Sequence, residues 1–168
     1  MTLVTSADGD IADPHTLADL PGAAQVFHLA ARTFVPDSWR DPAGFVSANV
    51  LGSVNVLEYC RKHRAQLTFV SGYLYGKPRH LPISETSPPC PNNPYALSKH
   101  LAEQECAFYA SEFGLPVTVI RPFNVFGPGQ KSHFLIPAIV RQLFGSKAIV
   151  VKDLEPRRDY IYLSLIHI

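Results

Sequence analysis

The sequence has no long uninterrupted apolar run, no excess of charge of either sign and no paired cysteine spacing, and each absence removes a class of protein. Without a stretch of about 20 apolar residues there is nothing to span a bilayer. The N-terminal MTLVTSADGD also lacks the basic-then-apolar pattern of a secretion signal. Fifteen Lys and Arg oppose fourteen Asp and Glu, a formal net charge of +1. No global field therefore draws in nucleic acid or an anionic membrane surface, and neither is expected as a partner. Cys60, Cys90 and Cys106 are odd in number and show no C-x-x-C spacing, which disfavours a disulfide framework and a zinc site. A reducing cytoplasm is the expected setting, with no bound metal. Repeats and low-complexity segments are absent as well.

What is present is an ordinary globular composition. The 168 residues are 46% hydrophobic and 17% charged, enough to bury a core, with one domain as the default. Short β-branched runs alternate with longer helical patterns, the pattern of a parallel α/β protein. Strands are expected at Leu3–Ser6, Gln25–Ala30, Leu67–Ser71, Val117–Arg121 and Ala148–Val151. Their nearly continuous apolar character suits strands buried on both faces. Helices are expected at Pro42–His63, Asn93–Phe113 and Phe134–Phe144. In the second of these, Asn93 can cap, Pro94 suits the first turn, and Gly114 and Pro116 end the helix. Between Gly76 and Pro94 lies a long Pro-, Ser- and Asn-rich loop of the kind that shapes substrate sites.

Open parallel sheets bind ligands beyond the carboxyl ends of their strands. HLAA (28–31), SGYLYG (71–76) and RPFNVFG (121–127) stand at those ends, and the helix of NNPYALSKHLAEQ (92–104) starts beside them. Tyr95 and Lys99, four apart, fall on one helix face. Such a pair is compatible with a solvent-facing helix and with a proton-transfer device. The small Ala30 and Ala31 fit either close approach of a cofactor or tight packing at a strand end.

Seven stretches in order resemble the extended short-chain dehydrogenase/reductase family, the NAD-dependent epimerases and dehydratases of nucleotide sugars. They are GDIAD (9–13), VFHLAA (26–31), NVLGSVNVLEYC (49–60), FVSGYLYG (69–76), NPYALSKHLAE (93–103), RPFNVFGPGQ (121–130) and RRDYIY (157–162). The resemblance implies a Rossmann-like, doubly wound parallel sheet, NAD or NADP as cofactor, a nucleotide-sugar substrate and a homodimeric full-length protein. By position, Tyr95 resembles the catalytic acid/base, Lys99 its partner on the nicotinamide ribose, and Ser71 the hydroxyl that bonds the sugar oxygen. Asp10 and Ile11 resemble the residues flanking adenine. Leu29, Ala30 and Ala31 resemble the segment beneath the pyrophosphate and ribose, and Pro122 another cofactor contact. Asn124 and Arg158 resemble holders of the substrate diphosphate, although Arg158 also suits a solvated pair with Arg157. A phenol of pKa ~10 beside a cation is expected to be drawn toward its phenolate.

Two departures qualify these expectations. No G-x-x-G-x-x-G loop precedes GDIAD. That loop wraps the cofactor pyrophosphate in the family. Residues 1–162 are accordingly expected to form a partial NAD(P)-binding domain that lacks the first strand-helix-strand unit and is inactive alone, with 163–168 an unmatched tail and the substrate lobe beyond it. Dehydratases of the family also carry an acid two positions after the catalytic Ser or Thr, where this chain has Tyr73. An epimerase is therefore the expected activity, with a keto-sugar reductase or dehydratase, or a non-catalytic dinucleotide-binding relative, as the alternatives.

Overall fold

Three short strands, β1 (Gln25–His28), β2 (Gln66–Val70) and β3 (Val117–Ile120), pair in parallel in the order β1-β2-β3. The register sets Val26 and His28 beside Leu67 and Phe69, and those beside Val117 and Val119. This face packs against α3 (Gly52–His63) and α4 (Pro94–Phe113). Val56, Leu57 and Cys60 of α3 and Ala102, Cys106 and Tyr109 of α4 join Leu67 and Phe69 in one buried core. The other face carries Phe27, Thr68, Val70, Thr118 and Ile120, and Phe27 is 61% exposed. β1 and β2 thus alternate between a covered and a more open face, and β3 is largely exposed, where continuous burial was expected from their composition.

The computed structural model of the chain describes residues 1–145, 148–151, 153–155 and 157–167. It resolves into two compact units, Met1–Arg121 and Pro122–Ile168. In the first, the expected helix 42–63 is a consecutive path of α2 (Pro42–Val46), a π-helical turn (Ser47–Leu51) and α3, preceded by the unforeseen α1 (Val35–Arg40). Arg64 in the left-handed region ends α3, and Gly114, φ 63°, ends α4. Asn93 caps α4 by accepting the Ala96 N–H at 2.9 Å, with Pro94 in its first turn.

The second unit pairs β4 (Asn124–Phe126) in parallel with β5 (Tyr160–Tyr162) beside α5 (Leu135–Gly145). Phe126 stacks edge-on with Tyr160 and Tyr162. In the tail, Leu163–His167 forms a 3₁₀ turn, and residue 168 lies outside the described residues.

Two expected strands do not form, for identifiable reasons. At Leu3–Ser6 the Asp8 carboxylate accepts the Thr5 N–H at 2.7 Å and its hydroxyl at 3.0 Å, curling the segment into a turn. At Ala148–Val151 the Gln142 side-chain amide satisfies Val150 from both sides, accepting its N–H at 2.8 Å and donating to its carbonyl at 3.1 Å. In both places a side chain takes the hydrogen bond that a neighbouring strand would have made.

Candidate active site

Ser71 follows β2, and its N–H donates to the Ile120 carbonyl at 2.8 Å, which extends the ladder by one step and fixes its backbone. The residue is 5% exposed, and its Oγ is buried without a hydrogen-bond partner. Such a group costs stability unless something else completes it. Directly after it, Gly72 lies under the Tyr95 hydroxyl: a Cβ built there would meet Tyr95 Oη at 2.8 Å. The glycine is required by that close approach. The fold therefore brings Ser71 and Tyr95, 24 residues apart in sequence, to one place.

Tyr95 occupies the first turn of α4, with Phe45 edge-on to its ring at 6.4 Å between centroids. One turn later Lys99 is only 1% exposed, and its Nζ sits 4.1 Å from the centre of the Phe69 ring. Burial pulls the Lys99 ammonium down to about 8, against the opposing influence of Cys106 and Glu103. The Tyr95 phenol moves the other way from expectation: burial raises it. The Lys99 ammonium is engaged with Phe69, and desolvation of the phenol dominates in the free chain.

Beneath these residues lies a buried polar layer that motif reading did not find. Asn49, on the π-helical turn and fully buried, donates through Nδ2 to the Arg32 carbonyl at 3.0 Å and to Ser98 Oγ at 2.9 Å, and accepts the Arg32 N–H at 2.8 Å. Ser98 in turn donates to the Tyr95 carbonyl at 2.8 Å. The segment just after Ala30 and Ala31 is thereby stitched to the turn of α4 that carries Tyr95. Single π turns of this sort recur at functional sites. Ser53 spends its proton on the Asn49 carbonyl at 2.6 Å, so His28 Nε2–H must donate to Ser53 Oγ at 3.0 Å. Burial, with the Lys99 charge behind it, holds His28 down to about 4, a neutral imidazole. The only signal for these residues was a polar side chain inside an otherwise apolar helix or strand.

The remaining candidates are distributed as follows. Leu29, 66% exposed, and Ala30 are open to solvent just beyond β1. The Ile11 carbonyl accepts from Asn55 Nδ2 at 2.9 Å, and its side chain packs where a Cβ on Gly52 would stand. Asp10 is exposed, its carboxylate accepting the Ala12 N–H at 3.0 Å. In the second unit, Asn124 Nδ2 donates to the Asp159 carbonyl at 2.9 Å, next to the exposed Arg158, while Pro122 is half-buried. A cleft of about 530 Å³ in that unit is lined by Phe126, Gln130, Val140, Arg141 and Tyr162 among others. The Tyr73 hydroxyl donates to the Gly76 carbonyl at 2.7 Å, so its ring is folded back on its own loop.

Two side-chain hydroxyls set this close can hold a hydroxyl or carbonyl oxygen and exchange a proton with it. Among the described residues no cluster could hold a metal ion, and no helix is long and apolar enough to cross a membrane. The model of the NAD dependent epimerase/dehydratase family matches residues 3–164. The chain belongs to that family. A curated member, the GDP-6-deoxy-D-mannose reductase of Pseudomonas aeruginosa, is 39% identical over 167 residues, covering 90% of this chain and 54% of the relative. Among solved family structures, RMD from Pseudomonas aeruginosa complexed with NADPH superposes with a TM-score of 0.87 at 35% identity, over 94% of this chain and 58% of that one. UDP-glucose 4-epimerase with UDP-glucose from Thermotoga maritima gives 0.87 at 33% identity, over 94% and 54%. The chain thus spans about half the length of the relatives it matches. Its sheet is part of the Rossmann-like fold of these enzymes.

Proposed function

We propose that this chain carries the proton-transfer centre of an NAD(P)-dependent enzyme that oxidises or reduces one carbon of a nucleotide sugar. The observation that carries the reading is the pairing of the unpartnered Ser71 Oγ with the Tyr95 hydroxyl stationed over Gly72. Ser71 bonds the reacting oxygen of the sugar; Tyr95 gives it a proton when the carbon is reduced and takes one when it is oxidised. Lys99, buried beneath, supplies the positive charge that favours the phenolate once the site is filled and reaches the cofactor ribose. Bound NAD(P) supplies hydride transfer, with Leu29, Ala30 and Ala31 as the open segment against which it lies and Asp10 and Ile11 at its adenine end. The open strand end and the orphaned serine suit such a group. Asn124 and Arg158 are the candidates for the substrate diphosphate.

A one-way reductase of a GDP-linked keto-deoxysugar is supported by likeness to the Pseudomonas aeruginosa reductase. An epimerase is supported by likeness to the Thermotoga maritima enzyme. A dehydratase needs an acid where Tyr73 points back to Gly76. Incubating the full-length protein with GDP-, UDP- and dTDP-sugars, while following reduced-nicotinamide absorbance and product stereochemistry, separates the readings. Stoichiometric loss of reduced cofactor marks the reductase. Inversion without net loss marks the epimerase, and a 4-keto-6-deoxy product from a plain hexose overturns the argument from Tyr73. Tyr95→Phe lowers turnover by roughly 10²- to 10⁴-fold with cofactor affinity kept; unchanged turnover would remove Tyr95 as the acid/base.

A further inference from the structure

Around Ser71, Tyr95 and Lys99, one arginine gathers the elements that carry them. Arg121 stands immediately after β3. Its Nε donates to both carboxylate oxygens of Glu103, at 2.9 and 3.1 Å, and its Nη2 adds a bond to Oε2 at 2.6 Å. The Nη1 donates to the Tyr75 hydroxyl at 3.0 Å. Glu103 lies one helical turn beyond Lys99, on the same face of α4. Tyr75 ends the short segment that begins at Ser71. Glu103 and Tyr75 are 8% and 5% exposed, and the arginine and glutamate side chains are 24% and 8% exposed.

We propose that Arg121 is a positioning residue that fixes the Ser71 segment against the Tyr95 and Lys99 helix, with Glu103 and Tyr75 as its two handles. The proposal rests on the proton-transfer reading of Ser71, Tyr95 and Lys99. A fork that satisfies a buried carboxylate twice and still reaches a phenol is a geometry that lysine cannot copy. Stability alone does not call for it, since apolar side chains of similar volume serve as well as a buried ion pair in many cores. The same contact has an electrostatic effect. Against the burial that lowers it, Lys99 feels Cys106 and Glu103 of its own helix, its charge acts in turn on His28 of β1, and the Phe69 ring of β2 lies under it. Of these, Glu103 is the carboxylate, and Arg121 holds its charge away from Lys99. Hydrogen bonding to Glu103 raises Arg121 above its ordinary range, so the guanidinium stays charged at every working pH.

The test uses the full-length protein and two readouts: the NMR titration of the Lys99 Cε signal, assigned with Lys99→Met, and steady-state kinetics. Arg121→Gln leaves the Glu103 carboxylate uncompensated, so the Lys99 pKa rises by about one unit. Turnover falls at least tenfold, and cofactor affinity stays within twofold. Arg121→Lys keeps the charge and loses the fork, so the titration returns toward that of the parent while turnover does not. If Arg121→Gln does not fold, Tyr75→Phe and Glu103→Gln carry the test: the first lowers turnover without moving the titration, the second lowers the Lys99 pKa further. A Lys99 titration and a turnover unchanged in these variants, with only the melting temperature reduced, overturns the positioning role and leaves the function standing. Unchanged turnover in Tyr95→Phe overturns the function itself.

Discussion

In the first unit Leu57, Cys60, Phe69 and Leu74 are wholly excluded from solvent, and His28, Asn49, Ser53, Ser98, Lys99 and Glu103 are buried with them. Among the described residues of the second unit none is buried, and α5 leaves Leu143 and Phe144 60% and 89% exposed. Both units carry candidate site residues, on opposite terms. The groups proposed to move a proton are held by packing and by the paired polar layer beneath them, which fixes rotamers before any ligand arrives. Asn124 stands on a short two-stranded ladder and Arg158 just ahead of its second strand, both near the surface, where side chains can change without cost to a core.

The sharpest way to break this contrast is a pair of truncations read by chemical denaturation. Phe69→Ala removes a core ring and the support of Lys99 and is expected to cost about 3–5 kcal/mol. Phe144→Ala is expected to stay within about 0.5 kcal/mol. Equal effects would erase the distinction between the units.

Next comes the cost of the buried ammonium. The folded Lys99 titrates at about 8, below its ordinary 10.5. The unfolded chain therefore holds more protons between those values, and stability rises with pH across that window. Below about pH 8 the full cost is present, of the order of 3 kcal/mol. Lys99→Met is expected to raise the melting temperature at pH 7 by removing it, with the gain shrinking from pH 8 to 10.5. A pH-independent difference would show that burial of charge is not the cause.

Smaller effects sharpen the site itself. Gly72→Ala drives a methyl against Tyr95 Oη and is expected to cost about 1–3 kcal/mol, with a disproportionate loss of turnover. Asn93→Ala removes the cap of α4 and is expected to cost about 1 kcal/mol, seen in the denaturation midpoint at unchanged slope.

Much of the first unit could be read from residues alone. β1, β2 and β3 lie where short β-branched apolar runs were expected to form strands, α3 and α4 fall within expected helices, and the ends of α4 follow Asn93, Pro94 and Gly114. What escaped was decided by partners. Leu3–Ser6 and Ala148–Val151 have the composition of strands, yet Asp8 and Gln142 claim their backbone groups first. Tyr160–Tyr162 forms a strand because Asn124–Phe126 is there to receive it. In the site, Tyr95, Lys99 and Ser71 stood out by spacing and motif. Asn49, Ser98, His28 and Arg121 did not, because a polar residue that is fully paired inside the fold looks the same in sequence as one that faces water.

The loop after Ser71 has a further consequence. The Cys90 N–H donates to the Leu74 carbonyl at 2.8 Å, and Gly76, φ 58°, lies so close to the Cys90 carbonyl that a Cβ there would collide with it. The chain leaves at Gly76 and returns at Cys90 through the same narrow neck, so residues 77–89 form a closed excursion whose length is invisible to Ser71 on one side and to Tyr95 on the other. Doubling such a loop costs only about 0.6 kcal/mol in closure entropy. The neck is thus a graft point: the excursion can vary in length and sequence while the geometry of Ser71 and Tyr95 stays as it is.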